Sequence, residues 1–219
     1  LAGVHIDADA PGDIALHLTP HFGRCVAVDL DARAVARAAQ KPRPGNLRFW
    51  VMNAEQLAFK PAAFEVVICS HIYEHVPHPE RMMAEIYRVL KPGGLCYFAA
   101  GNKLKLVDPE YRLPLATMLP KAIAGPYARL VRGVPGYYET FMTLPGLKKL
   151  VRRFEVTDYT TAIINEPGRF HATDMVRPGT VKHRLARLAA RLFYVALPAY
   201  IWILKKPASA GRRTEVQHP

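Results

Sequence analysis

The sequence predicts an α/β fold: a mostly parallel sheet with helices on both faces and a small insertion after the fifth strand. Three observations predict it. Short apolar runs alternate with helix-length amphipathic segments through the first half of the chain. Two of those runs, residues 64–69 and 95–100, are joined by one helix-forming stretch and a Lys-Pro-Gly-Gly stop, as a parallel crossover requires. Half of the 219 residues are hydrophobic, enough for the core of one domain, or of one domain with a subdomain.

Residues 4–7 read as a short strand, and 8–12 are turn residues. Residues 13–20 read as a helix with Ile14, Leu16 and Leu18 apolar. Residues 25–29 (CVAVD) are a continuous buried strand. Asp31 is positioned as N-cap of a helix at 32–40, whose alanines favour that state. A Pro/Gly loop at 41–46 leads to an alternating strand at 47–51 and a loop at 53–57. Strand 64–69 runs into a polar corner at 70–79, an amphipathic helix at 80–90 and strand 95–100. Beyond residue 100 the rhythm breaks. Residues 101–140, rich in Pro, Tyr and Leu, are expected to form a cap over the strand ends with only short helical stretches. A helix at 144–153, a strand at 154–159, a loop at 165–179, a basic amphipathic helix at 181–196 and a strand at 199–206 follow. The domain spans 1–206, and the polar tail 207–219 is expected to be disordered.

The charge is uneven. Residues 1–120 hold 13 basic and 12 acidic side chains; residues 121–219 hold 17 and 6. A basic half either attracts phosphates or is a solvated surface. Cys25, Cys69 and Cys96 sit in apolar runs at spacings that match no zinc pattern, so free buried thiols and no metal are expected. Such thiols suit a cytoplasmic protein. Asp7, Asp9 and Asp13 interrupt any apolar leader, and a first residue other than Met suggests a processed or truncated product. The run at 192–204 contains Pro198 and is shorter than the roughly 20 residues a membrane span needs.

Residues 64–94, FEVVICSHIYEHVPHPERMMAEIYRVLKPGG, carry Glu74-His75 after the strand and Arg-Val-Leu-Lys-Pro-Gly-Gly after the helix. This pattern resembles class I S-adenosylmethionine-dependent methyltransferases, in the methyltransferase type 11 group and its quinone-biosynthesis-like branch. The resemblance extends from Val4 to about Pro207. It implies a Rossmann-like methyltransferase fold with seven strands, the last antiparallel, and S-adenosyl-L-methionine as cofactor.

The resemblance also implies a set of site residues. A turn of the form Asp-x-Gly-x-Gly-x-Gly should meet the cofactor's amino-acid part. Here it reads Ile6-Asp7-Ala8-Asp9-Ala10-Pro11-Gly12, with Ala8, Ala10 and Gly12 on the glycine positions and Ile6 on the acid. A slip of one residue brings Asp7 there instead. Alanine excludes positive φ and adds a methyl where the cofactor comes close. Asp29, followed by Leu30, is the expected ribose acceptor; the alternative is a helix-capping Asp. Asn53, Ala54 and Glu55 match the adenine-side motif with Asn in place of Asp, or form a plain turn. Ser70 and His71 should line the cofactor.

Catalysis falls to His75 as general base, because a neutral imidazole takes a proton near pH 7. Glu74 would orient it or cap the next helix. His75 could equally brace the loop, and His78 is read as an exposed loop residue. Tyr111, Tyr127, Tyr137 and Tyr138, with Leu113, Leu115, Met118 and Leu119, form either an acceptor wall or the cap's own core. In helix 181–196, Leu185, Leu188, Leu192 and Phe193 share helical spacing. Docking on the sheet is the usual fate of such a helix, and contact with an anionic membrane is the alternative.

The leading expectation is methyl transfer to oxygen or carbon of a small-molecule or lipid-linked acceptor. A non-catalytic binding module is the rival that Ala8 and Ala10 motivate. A nucleic-acid methyltransferase ranks lower: the chain has Ser70-His71-Ile72-Tyr73 where those enzymes carry an Asn/Asp-Pro-Pro-Tyr motif, and its basic residues lack regular aromatic interleaving.

Overall fold

The computed structural model describes residues 2–6, 13–108 and 110–208. Ala8, Ala10 and Gly12 of the expected turn lie outside the described residues, as does nearly all of the tail. In chain order the elements are β1 (Ala2–Ile6), α1 (Asp13–Leu18), β2 (Arg24–Asp29), α2 (Ala32–Gln40), β3 (Leu47–Val51), β4 (Phe64–Ser70), α3 (Pro79–Val89) and β5 (Leu90–Gly101). There follow α4 (Lys121–Arg132), α5 (Leu144–Leu150), β6 (Glu155–Asp158), α6 (Thr160–Asn165), α7 (Val181–Leu192) and β7 (Ala199–Lys205).

The strands form one sheet in the order β3-β2-β1-β4-β5-β7-β6. β1 to β5 pair in parallel, and β7 runs antiparallel between β5 and β6. The strand order reverses between β1 and β4, so a crevice opens at their carboxyl ends. The main core carries Phe64, Met82, Ile86, Phe98, Tyr200 and Trp202 on the sheet and the helices packed against it. The three cysteines are free and buried.

Local chemistry sets the boundaries near the crevice. The Asp31 carboxylate accepts from the Arg33 N–H at 2.8 Å and caps α2 as expected. α3 starts with Pro79 and buries Met82, Met83, Ile86 and Val89.

Several boundaries differ from the sequence reading. The Lys91-Pro92-Gly93-Gly94 run lies within β5 rather than between helix and strand: β5 already pairs at Leu90 with Phe64, and the register shifts before Val66. Gly93 adopts φ +77° and donates to the Lys206 carbonyl at 2.8 Å, while a Cβ on Gly94 would meet the Glu65 carbonyl at 3.0 Å. The two glycines let the strand bulge and keep both neighbours. Residues 160–165 form a helix that the β-branched run Thr-Thr-Ala-Ile-Ile did not suggest. Tertiary bonds hold it: Asp158 accepts from the Thr160 N–H, and the Thr160 hydroxyl oxygen accepts from the Ile201 N–H. The cap contains a full 12-residue helix, α4, despite Pro126 inside it, and Gly133 ends it in the left-handed conformation.

Candidate active site

The crevice beside the switch point is a cleft of about 660 Å³, within the range that small-molecule sites occupy. The ends of β2 and β3 and the turn after β4 build it. Asp29, Leu30, Asn53, Ala54, Glu55 and His75 all line it. Asp29 ends β2, and its carboxylate accepts from the Asp31 N–H at 2.8 Å. Leu30 is exposed. The Asn53 carbonyl oxygen accepts from the Glu55 N–H at 2.8 Å, so this side chain also closes its own turn. Glu55 in turn accepts from the His78 N–H at 2.9 Å and ties the β3 loop to the β4 corner. Ala54 is buried beneath.

The corner after β4 is sharply bent. Ser70 is the last residue of β4 and pairs with Ala99. His71 sits at φ +56°, an uncommon conformation for a residue with a Cβ. Its N–H donates to the Ala99 carbonyl at 2.8 Å, and its Nδ1 lies 3.3 Å from Glu74 Oε1. Tyr73 is fully buried; its hydroxyl donates to the Gly101 carbonyl and accepts from the Met142 N–H, and burial raises its pKa. The bend turns His75 toward the cleft, where its Nδ1 is 3.9 Å from Glu139 Oε1, beyond hydrogen-bond range.

Residues 10–98 match the family model described as a methyltransferase domain. Residues 10–98 also contain every expected site residue from Ala10 to His75. Over those residues, fewer than half of its length, the chain is similar to methyltransferase domains. It is 34% identical over 113 residues to a ubiquinone/menaquinone biosynthesis C-methyltransferase of Brucella anthropi, covering 48% of this chain and 43% of that protein. It is 32% identical over 142 residues to the protein of the same name from Rhizobium leguminosarum bv. trifolii, covering 58% and 55%. The chain thus spans about half the length of these curated relatives. Its fold is similar to that of a solved S-adenosylmethionine-dependent methyltransferase from Methanosarcina mazei, with TM-score 0.58, 18% identity and coverage of 95% and 93%.

A second polar group lies under the cap. Glu74 and Glu139 are buried, and one oxygen of each, Oε2, has no hydrogen-bond partner among the described residues. Asp108 is buried too and accepts from the Tyr137 hydroxyl at 2.8 Å. Lys105 stands among them, with Nζ 4.0 Å from the centroid of the Phe141 ring. Burial lowers the Lys105 pKa, and Glu74, Asp108 and Glu139 pull it back up. Burial first, then neighbouring acids, raises the Tyr111 and Tyr137 hydroxyls. His75 therefore lies between the open cleft and this buried cluster of acids.

Glu139, Lys105 and Asp108 escaped the sequence reading, which considered only the cap's aromatic and apolar residues, as an acceptor wall or as the cap's own core. Glu139 did leave a signal: it is the single acid between residues 111 and 154. Tyr137, Leu113 and Phe141 form the cap's own core with Ala116, Ala124 and Ala128, whereas Leu115 and Tyr138 face solvent. Ligand atoms of His75, Glu110 and Glu139 lie within 4.8 Å of one another, a spacing that a divalent cation could bridge.

Proposed function

We propose that the chain moves a methyl group from S-adenosyl-L-methionine to carbon or oxygen of a small-molecule or lipid-linked acceptor. The observation that carries the reading is the cleft, where Asp29, Asn53, Glu55 and His75 meet at a switch point. Its size and its donor set fit the cofactor. An acid ends β2 for the ribose hydroxyls, and the Asn53 amide nitrogen remains for the adenine side. When bound, the cofactor supplies an electrophilic methyl group on a sulfonium.

The chain's own residues do the rest. Cleft and corner orient the two reactants, from which much of the acceleration of such a displacement derives. His75 takes the acceptor's proton at a ring nitrogen. Glu139, 3.9 Å away and buried, stabilises the imidazolium that forms. Glu74 holds His71 at the bend. The names of the curated relatives, C-methyltransferases of ubiquinone and menaquinone biosynthesis, favour carbon as the accepting atom.

Calorimetry with adenosylmethionine and adenosylhomocysteine tests this. Both should bind, and Asp29→Ala should weaken both at least tenfold. His75→Gln should leave binding intact and cut turnover by about a hundredfold or more, the usual worth of a positioned base. Binding of neither ligand would overturn the reading and favour a non-catalytic module, the outcome that Ala8 and Ala10 motivate.

A further inference from the structure

α7 does not dock through its leucines. Its buried positions are His183 and Ala190, and the half-buried Ala186 lies on the same face. His183 fixes that face: Nε2 bonds the Ile164 carbonyl at 2.8 Å, and Nδ1 lies 3.4 Å from the Gly179 N–H. Val181, Leu185, Leu188 and Leu192 follow the i, i+4, i+7, i+11 pattern on the opposite side. They are 71%, 61%, 52% and 59% exposed, and Phe193, just past the helix, is 64% exposed. The stripe is about 18 Å long, from 12 residues at helical rise.

Lys182 flanks this stripe on one side and Arg184, Arg187 and Arg191 on the other, and the helix has no acidic residue. Among the described residues none of these four cations pairs with a carboxylate. An apolar ridge pointing outward between bands of cations matches a surface with hydrocarbon inside and phosphates at its edge. A protein partner could cover the ridge, but the flanking cations, of which Lys182 and Arg187 donate to the neutral Met175 carbonyl and Asn165 Oδ1, favour an anionic surface. No helix among the described residues is long and apolar enough to cross a membrane, so contact would be peripheral.

The position of α7 gives the contact a purpose. β6 and β5 are both antiparallel to β7, so Asp158 ends at the same sheet edge as Ser70. α6 and α7 follow on that edge. The buried Asn102, at the end of β5, donates to the Val195 and Leu197 carbonyls at 2.8 Å and locks the segment after α7 in place. Gly101, next to it, accepts from Tyr73 of the catalytic corner.

We infer that α7 seats the protein on an anionic lipid surface, with the carboxyl edge of the sheet and its cleft held beside the bilayer. The experiment is co-sedimentation of the full chain with vesicles of phosphatidylcholine alone or mixed with phosphatidylglycerol. Retention is expected on the mixed vesicles only, with release at about 0.5 M salt, where the screening length falls to a few ångströms. Leu185→Glu with Leu192→Glu should weaken retention at least tenfold, and Arg184→Gln with Arg191→Gln should remove the preference for anionic lipid. Thermal unfolding of both variants should match the parent, which shows that they fold. Failure of the parent to bind mixed vesicles overturns the inference, as does equal retention of the leucine variant. So does a parent dimer that the leucine variant dissociates, because a second copy would then cover the ridge. Vesicle retention needs no cofactor, so this result and that of the calorimetry stand or fall separately.

Discussion

α3 and α7 are both amphipathic helices, of 11 and 12 residues, and they use their apolar faces in opposite ways. α3 turns Met82, Ile86 and Val89 inward to complete burial. α7 turns Leu185, Leu188 and Leu192 outward and rests on His183 and Ala190. Their charges differ as well. Arg88 of α3 is fully used, bonding Glu85 and the Leu57 and Phe59 carbonyls at 2.7 Å. The arginines of α7 face no acid among the described residues. A period of 3.6 shows that a helix has two faces; it does not say which one the protein covers. The difference lies in the neighbours. α3 is the crossover between β4 and β5 and must cover the sheet, whereas α7 lies on α6. A close approach to another helix favours alanine.

The largest effect should separate the two helices directly. Ile86→Ala leaves a cavity in the main core and should cost about 2–5 kcal/mol by urea denaturation. A cost below about 1 kcal/mol would mean that α3 is not fixed by its large side chains, and the contrast would collapse.

Much of this architecture was legible in the sequence because it depends on continuous apolar strands and short connections. The five parallel strands, the Asp31 cap and the buried thiols follow from local patterns, whereas the antiparallel direction of the closing strand came only from the resemblance. The sheet brings Asp29, Asn53 and His75 to one cleft because each sits at or soon after a strand end, while the roles expected of Asp29 and Asn53 came from the resemblance. Glu139 and Lys105 were not legible, because they meet only through the folding of an irregular cap. The outward ridge of α7 was ranked second in the sequence by a fair rule, that leucines outrank alanines for burial. The rule fails where a neighbouring helix comes too close for leucine. The Lys-Pro-Gly-Gly stop misled in a smaller way, since two glycines that end a helix can also bulge a strand.

A second variant probes the covered side of α7. Ala190→Leu puts three extra carbons into a buried contact and should cost about 1–3 kcal/mol. Neutral behaviour would mean that the alanine face is loose and the helix free to roll its leucines inward.

The charge contrast predicts a pH signature of intermediate size. Hydrogen bonding to Arg88 is the main cause that holds the Glu85 carboxyl below its ordinary 4.5, with help from the Leu57 N–H and against the effect of burial. A carboxyl held down in the folded state stabilises that state above its unfolded pKa. The contribution disappears as pH falls through the lowered value. Arg88→Met should therefore reduce stability at pH 7, and its deficit against the parent should shrink as pH falls from the ordinary 4.5 through the lowered Glu85 value. Arg187→Met in α7 should show no such trend, because no carboxylate depends on that arginine among the described residues. Parallel urea titrations at three pH values separate the two.

The smallest expected effect is the most telling. Leu188 is 52% exposed on the outer ridge, so Leu188→Ala should change stability by no more than about 0.5 kcal/mol. Alanine is also the better helix former, which offsets part of whatever contact is lost. The same change should weaken vesicle retention measurably. An interior leucine would behave in the reverse order, with stability lost first and binding only as a consequence of unfolding. A stability loss above about 1 kcal/mol would show that something within the chain already covers the ridge, and α7 would then be a second α3 seen from the wrong side.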